Sequence, residues 1–165
     1  MNVHSPQNYF VYRHVISFEE TNVVGNVYFA RHVAWQGACR EMFLRAHAPS
    51  TLDEIARDLR LVTVRVACDY YQELQAFDEI ELRMSLANQA GNRIELNFDY
   101  RVSRGDGWLQ CARGQQEIRS MRQREGALVP CSIPQGMASA LVAFGPSSPP
   151  IATHSLEPSE VSHGG

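Results

Sequence analysis

Asn22 and Arg40 are the two residues whose surroundings ask for chemistry. They lie in the stretch Phe18–Phe43 (FEETNVVGNVYFARHVAWQGACREMF), which passes through a polar turn and a glycine and then enters an apolar helical run. An amide hydrogen-bonds but cannot ionise, so Asn22 can be neither a nucleophile nor a base. A guanidinium among apolar neighbours must be paired or must hold something anionic. Between the two, Gly25 leads into Asn26-Val27-Tyr28-Phe29. A helix starting there offers unpaired N–H groups and partial positive charge. A carbonyl oxygen resting on such donors gains about 3–4 kcal/mol per well-aimed N–H in the transition state. The N–H groups around Tyr28 and Phe29 are the candidate donors, with Gly25 letting the backbone approach. Each residue also has an ordinary use. Asn22 suits a turn or a helix N-cap. Gly25 can simply turn the chain, and Arg40 can sit in a salt bridge, even to a glutamate of a neighbouring chain. Tyr28 can line a ligand channel, hydrogen-bond a ligand or pack in a core. Thr63 is a further channel-lining candidate. His32, about one turn into the helix, is of a kind more often packed or exposed than catalytic.

The elements that must position these residues follow from periodicity. Tyr9–Phe18 is aromatic and β-branched, a strand, and residues 19–25 form a turn. The helix is expected from Asn26 or Val27 to Ala46, with Phe29, Val33, Gly37 and Leu44 on one face and Arg40 among them. Gly37 costs about 1 kcal/mol of propensity there, which points to close packing. Pro49 and Ser50 end the pattern, and a short helical piece is expected over Leu52–Leu59. Arg60–Tyr71 then alternates strictly, as a strand with one buried face does. Asp78–Asn88, Arg93–Ser103 and Trp108–Met121 are three more strands, separated at Ala90-Gly91-Asn92 and Arg104-Gly105-Asp106-Gly107 by tight turns. The order predicts an α+β chain: one long central helix wrapped by a five-stranded antiparallel sheet, the last four strands in a meander. Arg40 would lie ~20 Å from the helix start. One carbonyl cannot touch both Asn22 and Arg40 of the same chain, so Asn22 of one subunit is expected to meet Arg40 of a partner across antiparallel central helices.

The 165 residues suit one domain. The expected layout is a flexible N-terminus over 1–8, the folded domain over 9–125, an extension over 126–144 with a possible short helix, and a Pro- and Ser-rich disordered tail over 145–165. All 15 cations are arginine, so lysine chemistry is excluded, and a net charge of −3 gives no basic face for nucleic acid. Cys39, Cys68, Cys111 and Cys131 form no CxxC pair and read as free thiols, so no metal site is expected. There is no signal-peptide pattern and no apolar run near the ~20 residues that span a bilayer. A cytoplasmic chain without a cofactor is the expectation.

Strand, polar turn ending in glycine, buried helix and four strands is the hot-dog order. The turn resembles that of the 4-hydroxybenzoyl-CoA thioesterase group, which reads T-D-x-x-G-x-V-Y/F; here it is Thr21-Asn22-Val23-Val24-Gly25-Asn26-Val27-Tyr28. The acid used in that group is Asn22 here, and Glu19 and Glu20 stand at the wrong positions. With Asn in that place, the run TNVVGNVYF and the helix segment Trp35-Gln36-Gly37-Ala38-Cys39-Arg40-Glu41 resemble the stand-alone thioesterases of enediyne polyketide clusters. That resemblance covers about residues 8–125. It implies hydrolysis of a β-keto polyenyl thioester carried by the acyl carrier protein of an iterative polyketide synthase, and then loss of CO₂ to a methyl ketone. It also implies that Asn22 and Arg40 are the functional pair, and a homotetramer built as a dimer of dimers. A general acyl-CoA thioesterase and a non-catalytic acyl-binding module are the competing expectations.

Overall fold

A computed structural model describes residues 8–146. The flexible N-terminus and the disordered tail expected from the sequence fall, over residues 1–7 and 147–165, outside the described residues. Strand β1 (Phe10–Val15) is followed by a single 3-10 turn at Phe18–Glu20, helix α1 (Ala30–His47) and helix α2 (Pro49–Arg57). Four long strands come next: β2 (Leu59–Tyr70), β3 (Glu79–Ala90), β4 (Arg93–Arg104) and β5 (Gly107–Arg124). A short β6 (Ala127–Pro130) and helix α3 (Gln135–Val142) close the described chain. No helix among the described residues is long and apolar enough to cross a membrane.

The sheet is antiparallel and runs β1-β3-β4-β5-β2, with β6 added as a sixth strand beside β5. This is the α+β hot-dog arrangement, with one correction to the expected meander. Only β3, β4 and β5 follow one another as hairpins. β2 lies at the far edge against β5, and β1 takes the edge beside β3. Alternation holds where hairpins hold. Ile80, Leu82, Met84 and Leu86 of β3 are buried, as are Ile94, Leu96, Phe98, Tyr100 and Val102 of β4. Burying each such side chain stabilises the fold by about 1.5–3 kcal/mol.

α1 lies across this apolar face, but of the side the periodicity suggested only Leu44 is buried. Its buried residues are His32, Trp35, Gln36, Cys39, Phe43 and Leu44. The side with Phe29, Val33, Gly37 and Arg40 is exposed or half-buried. Among the described residues, apart from its chain neighbours and the backbone of its own helix, nothing lies within 4 Å of a Cβ built on Gly37. The glycine that permits close approach is Gly114 on β5, where an added Cβ would fall 2.2 Å from Gln36 Nε2 and 3.1 Å from the Tyr100 ring. A helix buried along one stripe yet carrying apolar residues on two sides gives no clear periodic signal.

β2 departs most from its expected reading. It is an edge strand, and Val64 and Val66 are exposed, so the strict alternation does not mark one buried face. A register shift against β5 falls between Thr63 and Arg65. Before it, Leu59 is buried and Leu61 packs on the core; after it, Cys68 does. One extra residue swaps the inward set from odd to even positions. Beyond β5, Met137 and Leu141 of α3 are fully buried in the same core, so the stretch after residue 126 completes it.

Candidate active site

The turn before α1 is built by its own backbone. Thr21 and Val27 form a bridge, and Asn26 bridges to Gln75. Asn22 N–H donates to the Asn26 carbonyl (2.8 Å), and Gly25 N–H to the Asn22 carbonyl (2.9 Å). Gly25 has φ +90° with open space where a Cβ would stand, so its role is the left-handed turn and not close packing. Val24 N–H donates to Asn22 Oδ1 (3.0 Å). The acceptor side of the Asn22 amide is therefore committed to an Asx turn, and its Nδ2 hydrogens are what it can offer a substrate.

Because residues 21–27 are tied into bridges, α1 starts at Ala30 and not at Asn26 or Val27. Of the two expected backbone donors, Tyr28 N–H is spent on the Glu20 carbonyl (3.0 Å). Arg31 N–H turns back to the Tyr28 carbonyl and His32 N–H to the Phe29 carbonyl. The Phe29 and Ala30 N–H groups have no protein partner among the described residues. They lie beside a cleft of about 250 Å³ lined by Asn26, Phe29, His32, Tyr70 and Tyr71, among others. The Tyr28 ring is exposed and tilts against Phe29.

Glu20 holds this turn in place, a role its position in the sequence did not suggest. Its carboxylate is buried and accepts from His14 Nε2 (2.8 Å), Trp35 Nε1 (2.7 Å), Ser17 N–H (2.8 Å) and the Ser17 hydroxyl (3.2 Å). β1, the 3-10 turn and α1 are thus joined at one group. Burial alone would raise the Glu20 carboxyl; the donors from Ser17, His14 and Trp35 outweigh it and hold the group below the usual carboxylate range. Only a Trp on the helix opposite an acid in the turn hints at this clamp in the sequence.

Arg40 stands ten residues beyond Ala30, about 15 Å along the helix axis. The chain does not bring it to Asn22. Its Nη1 donates to Thr63 Oγ1 (3.0 Å) and to Gln116 Oε1 (3.1 Å), both neutral. Among the described residues no carboxylate lies within salt-bridge reach of it. Burial lowers its pKa, with the nearby Glu41 acting the other way. Thr63, expected on a channel wall, accepts a hydrogen bond from this guanidinium. Arg40 opens on a groove of about 600 Å³ shared with Leu44, Leu52, Ile55, Leu61 and Leu128. A long apolar chain fits such a groove, and the guanidinium would meet the anionic or enolic end of a ligand.

The model of the thioesterase-like superfamily matches residues 16–141. The chain belongs to that superfamily. Among solved structures, the dynemicin thioesterase is 42% identical, with a TM-score of 0.82, over 86% of this chain and 100% of that one. Its crystal structures reveal induced-fit and allosteric effects on polyene binding. A protein of Pseudomonas aeruginosa (18% identity, TM-score 0.75, covering 86% of this chain and 94% of that one) shares the fold. So does a 1,4-dihydroxy-2-naphthoyl-CoA thioesterase of Synechocystis (18%, 0.68, 82% and 96%). No curated protein matches the chain. The chain is a hot-dog thioesterase of the enediyne polyketide type and a thioester hydrolase.

Proposed function

We propose that this thioesterase releases a β-keto polyenyl chain from the acyl carrier protein of an iterative enediyne polyketide synthase. The observation that carries the reading is Arg40: a half-buried guanidinium held by two neutral side chains, with no carboxylate in salt-bridge reach among the described residues. Such a group is poised for an anion supplied from outside. The thioester carbonyl accepts from the Phe29 and Ala30 N–H groups and from Asn22 Nδ2. Arg40 of a partner subunit, across antiparallel central helices, stabilises the enolate or carboxylate character of the β-keto group. Water adds its oxygen to the acyl carbon, the C–S bond breaks, and the thiol leaves with a proton. The β-keto acid so formed loses CO₂ to give a methyl ketone. Activation by the second carbonyl is what lets the reaction run without a carboxylate base. The working unit is a homotetramer, a dimer of dimers, in the cytoplasm.

Incubation of the purified protein with its partner synthase, followed by mass analysis of the released product, tests this. A chain-length-defined methyl ketone or β-keto acid is expected. Faster turnover of a matched acyl-CoA than of the acyl-carrier-protein ester would point to a general acyl-CoA thioesterase instead. Tight acyl binding without turnover would point to a non-catalytic module.

A further inference from the structure

The cleft at the start of α1 ends on a side chain that the reaction above does not use. His32 is 4% exposed. Its ring packs among Trp35 (5.0 Å between centroids, tilted), Tyr70 (4.8 Å, edge-on) and Tyr100 (5.6 Å, tilted). Neither Nδ1 nor Nε2 has a hydrogen-bond partner among the described residues. The Phe29 carbonyl stands beside the ring and raises its pKa as an acceptor, but it already takes the Tyr70 hydroxyl (2.9 Å) and His32's own N–H. The backbone beneath the ring is held, since the Tyr100 hydroxyl donates to the His32 carbonyl (2.7 Å). Two buried, unpaired nitrogens are a cost that a folded chain retains only where something else fills them. Here the ring lines the cleft together with Phe29, Tyr70 and Tyr71. Burial keeps it neutral, with its pKa near 4, so it presents one N–H donor and one lone pair.

A helical side chain leans back over the turn before its own Cα. His32 therefore covers the first turn of α1, where the free Phe29 and Ala30 N–H groups are. A thioester carbonyl resting on those groups leaves the next carbons of the acyl chain beside the ring. We propose that His32 is a specificity residue that hydrogen-bonds an oxygen on the β-carbon of the acyl group. Its N–H meets a β-oxo oxygen, and its lone pair accepts from an enol or a β-hydroxyl. An acyl chain without that oxygen leaves both nitrogens unpaired and is disfavoured. The aromatic walls take the apolar or conjugated carbons on either side. This assignment rests on the proposed β-keto substrate and adds the residue that would select it.

The test compares octanoyl and 3-oxooctanoyl N-acetylcysteamine thioesters with wild type, His32→Phe and His32→Gln. Wild type should prefer the 3-oxo ester in kcat/KM. His32→Phe should lose about tenfold or more on that ester and little on the octanoyl ester. His32→Gln, which keeps a donor and an acceptor, should recover much of the preference. An unchanged ratio in His32→Phe, or an equal loss on both esters, overturns the assignment. Binding of the matched non-hydrolysable thioethers, read by Trp35 fluorescence, gives the same ratio without turnover. If wild type cleaves neither ester, the thioester release proposed above fails, while the thioether ratio still decides the role of His32.

Discussion

The polarising residues carry the sharpest mutational expectations. Arg40→Ala should lower kcat/KM on a β-ketoacyl thioester by about 100-fold or more, the range for removal of a charged transition-state contact. Arg40→Lys should not restore it, because an ammonium that donates to both Thr63 and Gln116 has one N–H left for a ligand, where the guanidinium, using Nη1 for both, keeps three. Asn22→Ala should lose turnover by about 100-fold as a missing donor, and Asn22→Asp should not rescue it, since an anion repels the developing oxyanion. Full turnover in both alanine variants would defeat the mechanism. His32 makes a separate prediction about stability. Its ring is held near 4 in the folded chain against an ordinary 6.5. The unfolded chain therefore binds more protons between those values. The contribution is complete above pH 6.5 and drains as pH falls toward 4, by up to about 3 kcal/mol. Urea unfolding at pH 7 and pH 4.5 should show this loss in wild type and much less of it in His32→Phe.

At the scale of elements, the turn and the helix are one unit through Glu20. Glu20→Ala leaves Trp35 Nε1, His14 and Ser17 without their acceptor, and should cost about 2–3 kcal/mol in thermal or urea unfolding. Because the depressed carboxyl adds stability above its usual pKa, Glu20→Gln should also remove part of the acid unfolding limb as pH falls below about 4.5. Helix and sheet are joined as closely at Gly114. Gly114→Ala places a methyl on the fully buried Gln36 and the Tyr100 ring and should destabilise by about 1–3 kcal/mol. Gly37→Ala meets only open space in the single chain. A loss of assembly in that variant, read by light scattering, would place Gly37 at the contact between subunits.

At the scale of the whole molecule, Asn22 lies in the turn before α1 while Arg40 stands about 15 Å along the helix from its first residue, Ala30. The proposed subunit pairing brings them together, and complementation tests it directly. Asn22→Ala and Arg40→Ala chains, each inactive alone, should regain about a quarter of wild-type activity when refolded together, since half the dimers are mixed and each mixed dimer holds one intact site. No recovery, with mixed dimers shown by native mass spectrometry, would place Asn22 and Arg40 in the same chain's site or in different steps.

Much of this protein was legible in its residues. Period-two alternation of Ile80–Leu86 and Ile94–Val102 set out the central hairpin, because a strand with one buried face has no other way to write itself. The TNVVGNVYF turn and the WQGACRE helix pointed to the family and to Asn22 and Arg40. What the residues could not state were the outcomes of long-range competition. Bridges from Thr21 and Asn26 delay the helix to Ala30 and spend the Tyr28 N–H. β2 lies at the sheet edge, where Thr63 accepts from Arg40 just before the bulge and Val64 and Val66 stay in solvent. Glu20 meets Trp35, and His32 is left with two empty nitrogens, only once β1, α1 and β4 are packed together. Local pattern reports what each segment prefers; which donor finds which acceptor is settled by the tertiary packing, where a buried unpaired group costs more than any local preference.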